Sequence, residues 1–452
     1  MNNTIKSLQI LILLVLVTWS GSAQIEFSGE ANLQGMLSSK EDLPFWFYSN
    51  QRGRVSSETS IAGWINGKMK YDISNDASLE IGAGVLYQDA FKDEVFIDEL
   101  YADFKYKWLQ VIAGRKQKEE LYNGLSATNE NILWSLNARP LTGIQISSET
   151  IYFNSSEKLG FDFAWEDYYQ SDHTDDFAFL HHKNFHLIYN FNQKYSIRAG
   201  LQHFAQWGGN SPRFGNQPDG FEDYLRVVAG YQGGEDAGAG DQENVLGNHL
   251  GSWELFVIRK FKQSSVQLIY NSIFEDGSGS RLANAPDGRY GIFWEHNNED
   301  KLINSIIYEF YYTRHQSHNV NRWGADNYFN NGTYSKGWAF KNKVIGLPLF
   351  TYDKETQLVI NNKFIAHHIG IGGQFSSYFQ SFPYRILLSY AHNEGTYRST
   401  LNTEDLNEDV LNFYSKWRLL NLPIKVDAVL GLEFNSYKEP IYAGGISISK
   451  RF

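Results

Sequence analysis

The sequence predicts an all-β protein: a single closed antiparallel transmembrane β-barrel with long extracellular loops that partly plug its lumen. Three observations carry this. Apolar and polar residues alternate with a period of two along most of the chain. Aromatic residues are abundant, with 12 Trp, 28 Tyr and 31 Phe, and they gather near the ends of the alternating segments. The connections sort into a short class and a long class.

The first element is not part of the barrel. Residues 1–23 read as a secretory signal: Lys6 begins it, Leu8 to Val17 form an apolar core, and Gly21 and Ala23 precede a cleavage site. That core is about half of what a membrane-spanning helix needs. Residues 24–452 are then expected to form the barrel. From Ile61 to Ile73 one face reads Ile61, Gly63, Ile65, Gly67, Met69, Tyr71, Ile73, and the other Ala62, Trp64, Asn66, Lys68, Lys70, Asp72. A turn follows, and Leu79, Ile81, Ala83, Val85 and Tyr87 alternate in the same way. Residues 95–106 and 109–115 form a hairpin about Lys107-Trp108. The segments 185–190, 195–204, 253–261, 265–274, 304–314, 382–392, 413–420, 424–435 and 441–452 fit as well. A soluble sandwich also alternates, but with an inner face of Val, Leu and Ile. An apolar outside, a polar inside and aromatic ends describe a barrel in lipid. Closure follows, because an open edge in lipid strands backbone polar groups.

Short turns at 74–77, 107–108, 191–194 and 421–423 are expected on the periplasmic side. Long loops at 206–220, 232–248, 275–290, 315–337 and 396–412 are expected outside. The length accommodates about 16–20 strands, with an even number expected. The last strand ends on Phe452, a pattern suited to the outer-membrane assembly machinery, with Lys450 as a departure near the interface.

Composition excludes several functions. Mean hydropathy of −0.42 excludes a bundle of membrane helices, and a net charge of −11 argues against nucleic-acid binding. The absence of cysteine excludes disulfides, Cys metal sites and thiol catalysis.

A series of segments is more specific. In order they are Asn131–Pro140, His181-His182-Lys183, His203–Gly209, Gly247–Ser252, Phe274–Gly279, Asp287–Gly291, Asp326–Asn331, Tyr334, Gly337-Trp338 and Ile345–Phe350. This order resembles the capsule-assembly Wzi family in its Bacteroidetes-like form. The resemblance implies an 18-stranded outer-membrane barrel, lectin-like rather than enzymatic, that helps hold capsular or other extracellular polysaccharide at the cell surface. The family's helical bundle has no obvious counterpart here, although short helices or a small plug can sit in the long loops.

The residue chemistry suits a saccharide independently. Aromatic faces match the C–H faces of sugars, and amides, carboxylates and guanidinium groups match their hydroxyls. The candidate polysaccharide-binding residues are Arg139, His203, Trp207, His249, Glu275, Asp276, Arg289, Arg314, Asn327, Tyr328, Asn330, Asn331, Tyr334 and Trp338, expected at the outer mouth and upper lumen. Each has a competing structural reading, as interfacial girdle or as interior hydrogen bonding. Asp326–Asn331 in particular can fold back and plug the lumen. An acidic glycan would need a local basic cluster, for which Arg139, Lys183, Arg213, Arg289 and Arg314 are candidates.

Catalysis is not expected. Neighbouring histidines at His181-His182 and His367-His368 point to opposite strand faces and do not share an ion. Ser278 lies in Asp276-Gly277-Ser278-Gly279, which is no nucleophile elbow. Adjacent Glu275 and Asp276 cannot flank a glycosidic bond. Gly233-Gly234 and Gly238–Gly240 lack the Lys-Ser/Thr of a phosphate loop. No cofactor or metal is expected. The expected partners are polysaccharide, outer-membrane lipid and lipopolysaccharide, and the assembly machinery, with the chain as a monomer. The alternative reading is a porin or sugar-specific channel, distinguished by a continuous lumen. An outer-membrane hydrolase, needing a Ser–His pair in hydrogen-bond reach, is the third.

Overall fold

A computed structural model describes residues 25–91, 95–173, 176–277, 279–317, 325–377, 379–399 and 407–452. The expected signal at 1–23 and Ser278 lie outside the described residues. Eighteen antiparallel strands form the wall. In chain order β1 is Ile25–Ser38, β2 Ile61–Ser74, β3 Ala77–Gln88, β4 Val95–Tyr106, β5 Leu109–Arg115 and β6 Thr142–Ser148. Then come β7 Leu159–His173, β8 Asp176–Asn192, β9 Tyr195–Ser211, β10 Asn248–Lys260, β11 Ser264–Ser272 and β12 Gly288–His296. The wall ends with β13 Ser305–Tyr312, β14 Phe364–Ser376, β15 Ser381–Asn393, β16 Glu408–Asn421, β17 Ile424–Asn435 and β18 Ile441–Arg451. Each strand pairs with its neighbour in sequence. The sheet closes where β1 meets β18, from Glu30 opposite Arg451 to Ser38 opposite Ala443. No sheet edge is left open at the seam, as lipid requires.

The alternation settles into lipid and lumen faces as expected. Ile61, Ile65 and Ile73 are exposed on the outer wall, whereas Ala62 between them is fully buried inside. The outer wall carries Phe27, Leu33, Ile81, Ile97, Leu187, Ile292, Leu430 and Ile448 as an exposed apolar belt. Strands β1, β6, β7, β12 and β14 were not among the predicted segments. In β12 and β14 glycines and a buried Arg289 or His368 break the simple alternation. The loop assigned to 206–220 also starts late, because β9 continues to Ser211.

Short turns such as 75–76, 107–108 and 193–194 lie at one end, the periplasmic end by the barrel rule. At the other end the long connections do not stay outside. Segments 39–60, 116–141, 279–287 and 325–363 turn into the lumen and pack there. The short helix α1 (Phe45–Tyr48) carries Trp46, 2% exposed, into contact with the His368 ring at 5.1 Å. Ile132, Leu133, Tyr328, Phe329, Trp338, Leu347 and Phe350 join the same buried core as Phe204, Ile307 and Phe364 of the wall. The connection after β9 does the opposite. Its helix α2 (Phe221–Ala229) lies on the outer wall, where Val227 and Tyr224 pack with Ala205, Trp207 and Phe179. A second helix, α3 (Ala239–Glu243), follows in the same loop.

Close approach of plug to wall depends on small residues. A Cβ on Gly370 of β14 would meet the Leu125 Cβ and carbonyl oxygen, each at 2.6 Å. Gly370→Val is therefore expected to lower stability by about 1–3 kcal/mol through overpacking. Thermal unfolding of the refolded barrel in detergent measures it, with Gly35→Val, whose Cβ meets nothing within 4 Å, as the control.

Candidate functional site

The lumen is organised around a charge pair on the inner wall. Arg289 of β12 and Glu309 of β13 are both fully buried, with Nη2 2.6 Å and Nε 2.9 Å from Oε1. Both side chains reach the plug. Arg289 donates to the Glu130 carbonyl (2.9 Å) and to Asn271 Oδ1 (3.0 Å). Glu309 accepts from Ser126 Oγ (2.7 Å), the Ala127 amide (2.8 Å) and the Tyr311 hydroxyl (2.8 Å). Beside it, His368 Nε2 donates to the Leu125 carbonyl (2.7 Å). Ser389 Oγ lies 2.7 Å from His368 Nδ1 and accepts from Trp46 Nε1 at 3.0 Å.

The two largest plug segments pair with each other. The Ser135 amide donates to the Ile345 carbonyl (2.9 Å), and the Leu347 amide donates to the Ile132 carbonyl (2.9 Å). Trp338 Nε1 donates to the Leu133 carbonyl at 2.6 Å. A third tie joins 273–287 to 325–330. Glu275 accepts from the Asn327 and Phe329 amides, each at 3.0 Å. Asp287 accepts from the His315 and Gln316 amides and from the Tyr328 hydroxyl (2.8 Å). Burial pushes Glu275 and Asp326 above the usual carboxyl range, each raised further by neighbouring acids. Both Glu275 oxygens accept backbone N–H groups, which favours its charged form.

These contacts relocate most of the predicted site. Arg289, Tyr328 and Trp338 are fully buried and their polar atoms are spent inside the protein, so they present no face to a saccharide. Asn327 and Asn330 bind other plug residues: Asn330 exchanges hydrogen bonds with the Val359 backbone at 2.7 and 2.9 Å. Asn331 caps the turn at Thr333 and Tyr334, and Glu275 ties loops. Arg139 is buried, stacks on Phe96 at 4.0 Å and donates to the Gly53 carbonyl. His203, Trp207 and His249 are not in the mouth or the lumen. They face outward beneath α2, with His203 Nε2 2.8 Å from His249 Nδ1. Arg314 pairs with Glu394 at 2.6 Å, and Asp276 is exposed in its loop. The basic cluster does not form: Lys183 lies on the outer wall against α2, Arg289 is in the lumen, and Arg139 is beside β4.

What the sequence reading missed is a cavity at the outer mouth, about 410 Å³ in volume. Its walls include Phe45, Tyr48, Phe350 and Tyr352 from two inward segments, and Asn393 and Asn412 from β15 and β16. The Asn393 and Asn412 amide oxygens are buried without a hydrogen-bond partner among the described residues. Lys343, also lining it, is half-buried and donates to the Tyr48 carbonyl at 2.8 Å; desolvation lowers its ammonium to about 7. No local motif signals this set, because its members come from segments far apart in sequence.

The inner-wall pair gives a prediction. Arg289→Ala leaves Glu309 charged and buried, and is expected to cost about 3–5 kcal/mol. The double replacement Arg289→Met with Glu309→Leu should recover much of that loss, read by denaturant unfolding. A second concerns pH. Asp326 and Glu275 both have raised folded pKa values, so their contribution is complete below the unfolded values and is lost as pH rises through the folded ones. Thermal stability should decline from mildly acidic to mildly alkaline pH, and Asp326→Asn should flatten that decline.

No family model matches the chain, and no curated protein matches it by sequence. Solved structures match in fold. One is Wzi of Escherichia coli, described as an outer-membrane protein involved in group 1 capsule assembly and a carbohydrate-binding β-barrel. It is 11% identical over 93% of this chain and 83% of its own, with a TM-score of 0.61. OccAB2 of Acinetobacter baumannii is 12% identical over 94% and 98%, with a TM-score of 0.50. At these identities the likeness is one of fold: the chain is a closed 18-stranded barrel of the outer-membrane type.

Proposed function

We propose that the chain is an outer-membrane protein of a Gram-negative bacterium that binds or organises capsular or other extracellular polysaccharide at the cell surface. The observation that carries this reading is the outer-mouth cavity. Unpartnered buried amide acceptors call for hydroxyl donors, and the aromatic walls beside them suit the apolar faces of sugar rings. The carbohydrate binding stated for the E. coli barrel of the same fold supports it. Arg314, Asp276, Asn331 and Tyr334 keep accessible surface and remain proposed contacts of secondary weight.

The plug supports a holding role over the channel alternative. A lumen crossed by a dry core with Trp338, Tyr328 and Phe364 fully buried offers ions no wetted path through that core. The chemistry proposed is binding without turnover.

Asn412→Ala and Tyr352→Ala are each expected to weaken binding of the host's extracellular polysaccharide about tenfold, equivalent to about 1.4 kcal/mol. Titration calorimetry on the refolded barrel measures this, with unchanged thermal unfolding as the control. The wild-type protein should carry no steady current in planar bilayers. Steady conductance together with an absence of glycan binding would overturn the reading in favour of a channel.

A further inference from the structure

The plug leaves a second large cavity on its other side. About 530 Å³ in volume, it is lined by the periplasmic halves of β2 to β7 below and by 116–119 and 134–141 of the plug above. Lys70, Ser78, Lys105 and Gln110 of its lining lie within a few residues of the short turns at 75–76 and 107–108, which places its mouth at the periplasmic end. Its charge is opposite to that of the protein. Lys68, Lys70, Lys105, Lys116 and Lys118 line it against Glu80, Asp103 and Glu119, a local excess of two positive charges in a chain of net −11.

Those cations fall into two groups. Lys68 and Lys116 are held by carboxylates: Lys68 to Glu80 at 2.9 Å, Lys116 to Asp103 at 2.6 Å and to Glu80 at 3.1 Å. Lys70 pairs with Asp72 at 2.9 Å. Lys105 and Lys118 have no carboxylate in ion-pair distance among the described residues. The Lys118 ammonium instead sits 3.9 Å over the Trp134 ring, and Trp134 packs against Tyr168 with ring centroids 4.9 Å apart. A cation resting on an aromatic shelf keeps donors that a carboxylate can take up at modest cost. Trp134 and Tyr168 are each 5% exposed, so the shelf holds the ammonium in place, and Gln110, Gln117 and Gln145 supply amides to the cavity.

We propose that this periplasmic cavity is a binding site for an acidic saccharide, in which Lys105 and Lys118 take sugar carboxylates and Gln110, Gln117 and Gln145 meet its hydroxyls. The site is separated from the outer mouth by the plug and does not depend on the reading given for that mouth.

The test is titration calorimetry of the refolded full chain in detergent at low ionic strength, with trigalacturonate as the acidic probe and maltotriose as the neutral one. Trigalacturonate should bind, weaken with added salt and weaken at least tenfold in the Lys105→Gln, Lys118→Gln double variant. Neither lysine holds another carboxylate of the protein, so the fold should survive, as circular dichroism and heat-shifted electrophoretic mobility will verify. If the double variant fails to fold, Lys105→Gln alone should still weaken binding. Tyr352→Ala at the outer mouth should leave this binding unchanged, so failure of one site is separable from failure of the other. Failure of the folded wild type to bind, equal affinity for maltotriose, or unchanged affinity in the folded variants overturns the proposal. Displacement by equimolar inorganic phosphate overturns the saccharide assignment.

Discussion

The Arg289–Glu309 pair is the constraint on which the lumen depends. Two charges withdrawn from water cost several kcal/mol each, and their mutual attraction alone does not reliably repay that. Here the remaining donors and acceptors are used by the plug: the Ala127 amide, Ser126 and the Glu130 carbonyl all bond to the pair. The pair is therefore well satisfied only when 126–130 is seated against β12 and β13. Removing that segment would leave a buried charge pair under-bonded, so wall and plug are coupled energetically. Gly370 lets Leu125 come close enough for the same geometry, and His368 holds the Leu125 carbonyl on the other side.

From that anchor the rest of the interior follows by pairing. Segment 131–137 is fixed to the wall through 126–130, and it offers its backbone to 344–347. The stretch 325–363 is thereby drawn down, and Glu275 and Asp287 gather 325–330 on the remaining side. A barrel filled this way holds separate cavities at its two ends. The outer cavity is lined by amides and aromatic rings, and the inner cavity by lysines and an aromatic shelf.

Strands such as 95–106 and 109–115 were legible to the residue because period-two alternation with a tight turn is a local signal. The inward turn of the long loops was not. Asn327, Asn330 and Tyr328 carry the composition of a sugar site, and a plug needs that same composition, because loop backbone buried in a lumen must be hydrogen-bonded by amides and hydroxyls. Only the contacts separate the two. His203, Trp207 and His249 show the converse limit. Alternation assigns residues to faces, yet it does not say what covers the outer face. Asn393 and Asn412 lie on the paired strands β15 and β16, and Tyr48 reaches them only through the inward turn of 39–60, which no window of sequence reports.

The outer face raises its own physical problem, and α2 answers it. Asp167, His181, Lys183, His203 and His249 all point outward from β7 to β10, a polar set on a surface otherwise given to lipid. Counting from the turn at Asn192 up β8 to Lys183 or His181 gives a height of about 23–28 Å for tilted strands, at the upper margin of a typical apolar band of about 25 Å. Bare, these groups would meet acyl chains. Helix α2 covers them: the Tyr224 hydroxyl donates to Asp167 at 2.9 Å and accepts from Trp165 Nε1 at 2.9 Å, and Lys183 donates to the Val228 carbonyl. Its other side presents Phe221 and Leu225, both exposed, with Tyr231 just beyond. The helix thus exchanges a polar stretch of wall for an apolar one at the height where lipid gives way to headgroups. The same amphipathic logic that sends 116–141 and 325–363 inward sends 221–229 outward. Which way a loop folds is decided by the wall it must cover.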